Sequence, residues 1–139
     1  MQLWIIHSLL ALIGFTGIYI LIKSLTRFEI SSIILNFWFF TLTAIGFLVL
    51  AFNKKEILSV PKASLPFFLL LTLSAVFGNY YSVKAYQIAP NPGYVAAIIS
   101  SAVIFLTIFS IFAFGSELTW LKGFGILLTT TGVAILALA

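Results

Sequence analysis

The chain is expected to be an all-α membrane protein, a bundle of five transmembrane helices with its termini on opposite faces. Three observations lead there. Of 139 residues, 63% are hydrophobic and only 7% are charged, where soluble domains carry about 25% charged residues. Mean hydropathy is +1.24, and a water-soluble domain of this size keeps too much of its surface wet to hide that much apolar side chain. The apolar residues also fall in five continuous runs, near 2–22, 28–52, 65–89, 93–114 and 118–138, each close to the ~20 residues that cross a bilayer as a helix. Barrel strands are excluded because the runs do not alternate and far exceed ~10 residues. The connections are too short for a soluble domain, so positions 1–139 read as one transmembrane domain.

The first run has no basic segment ahead of it and no small-residue cleavage site, so it is expected to be a retained helix and not a leader. It ends near Lys23–Thr26. Thr26 and Glu29 have the spacing of a capping box, which starts the second helix just after Thr26. Asn53, Lys54, Lys55 and Glu56 form a polar stop. Pro61 and Pro66 then bracket the start of the third helix, with Ser64 in place to cap it. Pro90-Asn-Pro-Gly93 must break the third helix; Asn91 suits the cap of the fourth and Pro92 its first turn. Gly115 suits a left-handed C-terminal position. Ser116 can cap the fifth helix, and Glu117 faces its positive dipole end.

Such short connections make successive helices antiparallel neighbours. Lys54, Lys55, Lys62 and Lys122 then share the N-terminal side, and Lys23, Arg27 and Lys84 the other. Four against three is no decisive positive-inside imbalance. Two readings follow: a single, weakly signalled topology, or insertion in both orientations. The net charge of +4 reads as solvated loop charge at a membrane surface, not as a nucleic-acid patch. With no cysteine in the chain, disulfides and thiolate metal sites are excluded.

Polar residues inside the spans are the candidate functional residues. Tyr80, Lys84 and Gln87 recur at i, i+4 and i+7 on one face of the third helix. Lys84 is read either as snorkelling toward the headgroups near Pro90 or as lining a wet cavity with Tyr80 and Gln87. In the second helix Ser32, Asn36 and Thr43 share a face; buried Asn36 must find partners for its amide. His7 shares a face of the first helix with Ala11 and Gly14, and Tyr94 shares one of the fourth with Ser101. Each stripe has a plain alternative, since Ser and Thr commonly bond their own helix. Trp4 and Trp120 suit interfacial anchors. Trp38 with Phe37, Phe39 and Phe40 makes an aromatic patch, either packing or a wall for an apolar substrate. Gly125 and Gly132, two turns apart, are the candidate helix-packing or dimer contact.

The run "APNPGYVAAIISSAVIFLTIFSIFAFGSELTWLKGFGILLTTTGVAIL" resembles the C-terminal part of one EamA-type half of the drug/metabolite transporter superfamily, with Gly115, Glu117, Gly125 and Gly132 at matching positions. "LIGFTGIYILIKSLTRFEISSIILNFWFFTLTAI" looks like the family's first two helices, with Lys23 at its usual lysine. Three features depart from the pattern. Ser116 separates Gly115 from Glu117; Ala102 and Val103 stand where the fourth helix commonly has a proline; and the second helix lacks the usual arginine near Asn36, Phe37 and Trp38. The resemblance implies half of a ten-helix protein built from two inverted five-helix halves. The working unit would then be a dimer, an antiparallel homodimer or a pairing with a sister subunit.

The resulting expectation is a secondary transporter or exporter subunit for a small metabolite, working by alternating access in a bacterial or archaeal cytoplasmic membrane. Tyr80, Lys84, Gln87, Asn36, His7, Tyr94 and Ser101 are its pathway candidates. The competing expectation is a non-transporting accessory or scaffold protein whose polar groups only join helices. No cofactor, metal or nucleic-acid partner is expected; membrane lipid and a small-molecule substrate are. An enzyme is disfavoured, because one His and three peripheral Glu supply neither an acid pair nor a nucleophile with its base.

Overall fold

The structure is a computed structural model that describes residues 3–138. Gln2, the first position of the expected first span, lies outside the described residues. The helices are α1 (Leu3–Leu25), α2 (Ser32–Lys54), α3 (Leu65–Ile88), α4 (Pro92–Ser100), α5 (Ala102–Phe114) and α6 (Trp120–Leu138). Short 3₁₀ turns at Thr26–Phe28 and Lys62–Ser64 precede α2 and α3. No strand occurs among the described residues. The segments α4 and α5 together form one span, so the chain presents the five expected apolar rods. Four are long and apolar enough to cross a membrane, namely Leu3–Phe28, Ser32–Lys54, Lys62–Ile88 and Pro92–Phe114. The fifth, α6, is shorter in its apolar part, Trp120–Leu136, yet 19 residues at 1.5 Å each give about 28 Å, close to the ~30 Å hydrocarbon core.

The helix ends follow local chemistry, and three differ from the sequence expectation. Thr26 is no cap: its hydroxyl donates to the Lys23 carbonyl at 2.7 Å, which extends α1, and Glu29 ends the following turn in a left-handed conformation, φ 54°. Ser31 caps α2 instead, accepting from the Ile34 amide at 3.3 Å. Ser64 does not cap α3 either, because its hydroxyl donates back to the Pro61 carbonyl at 2.7 Å. Ser116 leaves the capping of α6 to Thr119, whose Oγ1 accepts from the Lys122 amide at 3.4 Å. The other expectations hold. Asn91 caps α4, taking the Gly93 amide at 2.8 Å, with Pro92 in the first turn. Gly115 adopts φ 61° at the end of α5, and its amide and that of Ser116 converge on the Ser110 carbonyl.

Between α4 and α5 the regular ladder is interrupted at Ser101. The Ser101 and Ile104 amides bond three residues back, to Ile98 and Ser101, both at 3.1 Å. The Ser101 hydroxyl adds a bond to the Ile98 carbonyl at 2.6 Å. Ser101 immediately precedes Ala102 and Val103, so the break forms with no proline at the joint. Serine back-bonding to a carbonyl of the preceding turn competes with the ladder and commonly bends helices.

The chain divides into two compact units. One comprises residues 21–88, hence the end of α1 with α2 and α3; the other comprises residues 1–20 and 89–139, hence the start of α1 with α4, α5 and α6. In the first unit the core is Ile22, Leu35, Val83 and Tyr86, the last wholly buried. In the second, Val95 is the buried apolar residue. Large apolar side chains elsewhere stand outward, including Phe112, Leu121 and Trp120. Water would not tolerate that distribution, whereas lipid tails are as apolar as leucine and impose no such cost.

Two changes test these helix ends. Asn91→Ala should lower stability by about 1 kcal/mol. Lys55, which holds φ 56° at the end of α2, should behave oppositely: Lys55→Gly should be neutral or stabilising by up to about 1 kcal/mol, as glycine adopts that conformation without a Cβ clash. Denaturation midpoints in detergent would read both.

Candidate functional site

The second helix meets the third through a polar seam in the unit of residues 21–88. Gln87 lies in the last turn of α3, and its amide is used on both sides. Its Nε2 donates to the Ile30 carbonyl at 2.7 Å, and its Oε1 accepts from the Ser32 hydroxyl at 2.6 Å. Gln87 therefore ties the end of one span to the start of another. Ile30 gives no sequence signal for its part, because a carbonyl acceptor is common to all residues. Further along, Asn36 Nδ2 donates to the Ser32 carbonyl at 2.8 Å and to the Asn79 carbonyl at 3.4 Å. Asn79 turns its own amide back to Ala75, at 2.9 Å. Asn36 Oδ1 is buried and accepts no hydrogen bond in the structure.

The face of α3 that packs carries Val83 and Tyr86, with half-buried Asn79, Tyr80 and Gln87 beside them. Lys84 stands on the flank and is exposed. Its Nζ lies 5.9 Å from the centre of the Tyr80 ring, within range of a cation–π attraction. Tyr80 in turn meets Tyr81 edge-on, with 5.1 Å between ring centres. The expected grouping of Tyr80, Lys84 and Gln87 thus spreads over one flank: Gln87 joins the helices, Tyr80 is half-buried, and Lys84 points outward.

A cleft of about 300 Å³ opens between α2 and α3 beside this seam, lined by Ile33, Asn36, Phe37, Phe40, Thr41, Val76 and Tyr80. That volume is at the lower bound of small-molecule sites, which combine apolar walls with a few polar groups. Asn36, Thr41 and Tyr80 supply the polar groups here. Phe37 and Phe40 bring part of the aromatic patch into the wall, while Trp38 is exposed. Thr43 is spent on its own helix, donating to the Phe39 carbonyl at 2.7 Å.

The remaining candidates belong to the other unit. His7 is exposed on α1. Tyr94 is exposed at the start of α4, and Ser101 marks the α4–α5 joint described above. Gly125 and Gly132 lie on α6, and among the described residues no atom beyond the adjoining turns of α6 stands within 4 Å of where a Cβ on either would be. Neither glycine is used for a close helix approach within the chain. Among the described residues no group of three His, Cys, Asp or Glu side chains is placed to hold a metal.

Gln87→Leu should disturb the seam more than its apolar character implies. It strips two partners at once, from Ser32 and the Ile30 carbonyl, and the expected loss is about 1–3 kcal/mol. Ser32→Ala in the same assay should cost less, since Gln87 keeps Ile30; equal losses would mean the seam is not organised around Gln87.

Residues 2–138 match the family model described as EamA-like transporter family. Comparison with curated proteins and with solved structures gave no match. The match spans nearly the whole chain, and it fits the run of apolar helices. The chain is an integral membrane protein and belongs to the EamA-like transporter family.

Proposed function

We propose that the chain is one five-helix half of a secondary transporter or exporter for a small metabolite. It works by alternating access as a dimer of inverted halves, with its termini on opposite membrane faces. The observation that carries this reading is the α2–α3 cleft: aromatic walls, three polar side chains and a flanking cation, at the depth of the spans, in a chain of a transporter family. Inverted-repeat transporters hold substrate near the midplane between their halves. One half alone supplies one wall.

In this reading Asn36, Tyr80 and Thr41 meet the substrate, and Lys84 favours an anionic or electron-rich group at the rim. Gln87 positions the cleft by fixing α3 against the start of α2. His7, Tyr94 and Ser101 remain pathway candidates within the unit of residues 1–20 and 89–139. Gly125 and Gly132 leave a flat strip on α6 for the second half, which suits the close approach that small residues permit in membranes. The nearly even distribution of Lys and Arg on the two sides, four against three, supports insertion in both orientations and hence an antiparallel homodimer. A pairing with a sister subunit satisfies the same geometry. A bacterial or archaeal cytoplasmic membrane is the location this reading requires.

One observation favours the scaffold alternative. The hydrogen bonds of Gln87 and Ser32 are satisfied at the helix contact itself, as a purely joining role would have them. Wetness of the cleft separates the two.

The chain has no cysteine, so a single introduced thiol is unambiguous. Thr41→Cys should react with a charged, water-soluble thiosulfonate far faster than Leu70→Cys, whose position is exposed on α3. Protection of both would remove the transport reading. Ser116→Cys, in the loop before α6, should be labelled from both sides of the membrane in comparable amounts. Labelling from one side only, with no oppositely oriented sister subunit, would remove the antiparallel homodimer.

A further inference from the structure

A second opening, larger than the α2–α3 cleft, lies elsewhere in the chain. A crevice of about 730 Å³ lies in the unit formed by residues 1–20 and 89–139, between α5 and α6, with the 115–119 loop across one end. Its two ends differ in chemistry. At the loop end it is bordered by Glu117, Lys122, Ser116 and the indole of Trp4. Away from the loop the walls are Val103 and Leu106 from α5 and Ile126 from α6.

Ser100, Ser110, Thr107 and Thr129 also line the crevice, and three of them turn to their own helices. Ser100 donates to the Ala96 carbonyl at 2.8 Å, Thr107 to Val103 at 2.7 Å and Thr129 to Gly125 at 2.9 Å. Each proton is spent on its own helix. With few free donors among apolar walls, the crevice suits a hydrocarbon chain better than a hydrophilic metabolite.

The dimensions point the same way. At 1.5 Å per residue the lining runs about 16 Å from Ile111 in α5 back to Ser100 at the end of α4, and about 10 Å along α6, from Lys122 to Thr129. One leaflet is half of the ~30 Å hydrocarbon core, so the crevice is about one leaflet deep, with its charged end at the interface. Trp4 suits that level, since indoles gather at the headgroups. The charges are of both signs, a carboxylate and an ammonium, which complement a headgroup that also carries both.

We propose that this crevice binds one zwitterionic aminophospholipid, its phosphate on Lys122, its ammonium on Glu117 and an acyl chain along α5 and α6. A purely anionic lipid would meet Lys122 equally well but would set its charge against Glu117. A primary ammonium suits Glu117 because it donates charge-assisted hydrogen bonds. The crevice belongs to the unit of residues 1–20 and 89–139, and because Gly125 also lines it, a second half placed there would compete with the lipid.

The test uses the full chain purified after equilibration with vesicles of equal phosphatidylethanolamine and phosphatidylglycerol, the retained lipid being counted by native mass spectrometry. One phosphatidylethanolamine per chain is expected, in preference to phosphatidylglycerol. Glu117→Gln should cut that preference by about tenfold, and Glu117→Asp should preserve it. Lys122→Gln should weaken retention of both lipids, and Lys122→Arg should restore it. Thr129→Phe, which fills the crevice, should reduce both without changing their ratio. An unchanged ratio in Glu117→Gln overturns the proposal, as does undiminished retention in Thr129→Phe. Loss of a dimer in Thr129→Phe with lipid retention intact overturns it too, by assigning the crevice to a second copy of the chain. No flux enters the measurement, so these outcomes and those of the thiol-labelling experiment are independent.

Discussion

Hydrocarbon supplies no hydrogen bonds, and that constraint governs where each polar group of this chain has gone. Most of the hydroxyls within the spans fold back onto a carbonyl one turn earlier, as Thr16, Thr72 and Thr130 do at 2.8 Å each. Such a group is satisfied before any tertiary contact forms, and it leaves its helix apolar outside. Amides are harder to satisfy locally. Gln87 therefore reaches across to Ile30 and Ser32, and Asn36 reaches toward Asn79. The second and third helices are joined where their sequences carry groups too demanding for one helix alone. The buried apolar core beside that joint is only a few residues, which is consistent with a solvent that provides no hydrophobic drive between helices.

The helical architecture was legible in the sequence because lipid allows so few alternatives. Five long apolar runs in a chain with 7% charged residues leave helices as the natural solution, and proline and glycine at Pro92 and Gly115 set boundaries that the structure keeps. Cap assignments fared less well where several hydroxyls competed. Thr26, Ser64 and Ser116 all stood at plausible cap spacing, yet Thr26 and Ser64 act as donors to the preceding chain, and Ser116 gives way to Thr119. A hydroxyl can donate or accept, and spacing alone does not choose.

The site was legible in its ingredients and less so in its arrangement. Asn36, Tyr80 and Gln87 stood out as polar groups in an apolar setting. Helical periodicity placed Lys84 with Tyr80 and Gln87, but the packed face of α3 turns on Val83 and Tyr86 instead, which moves Lys84 to the flank. Ile30 contributes a carbonyl and Thr41 a place in a cleft wall, and neither role leaves a mark in residue type. The crevice between α5 and α6 had the same obscurity: Glu117 and Lys122 read as loop charges until the helices brought them to one end of an apolar slot.

The interruption at Ser101 has a mechanical implication. A proline at such a place deletes an amide proton for good, and its ring bars the straight form. Serine keeps the amide and merely diverts it, so rotating one hydroxyl away from Ile98 would let the ladder re-form. The fourth rod accordingly passes its joint without giving up the amide proton that a proline there would remove.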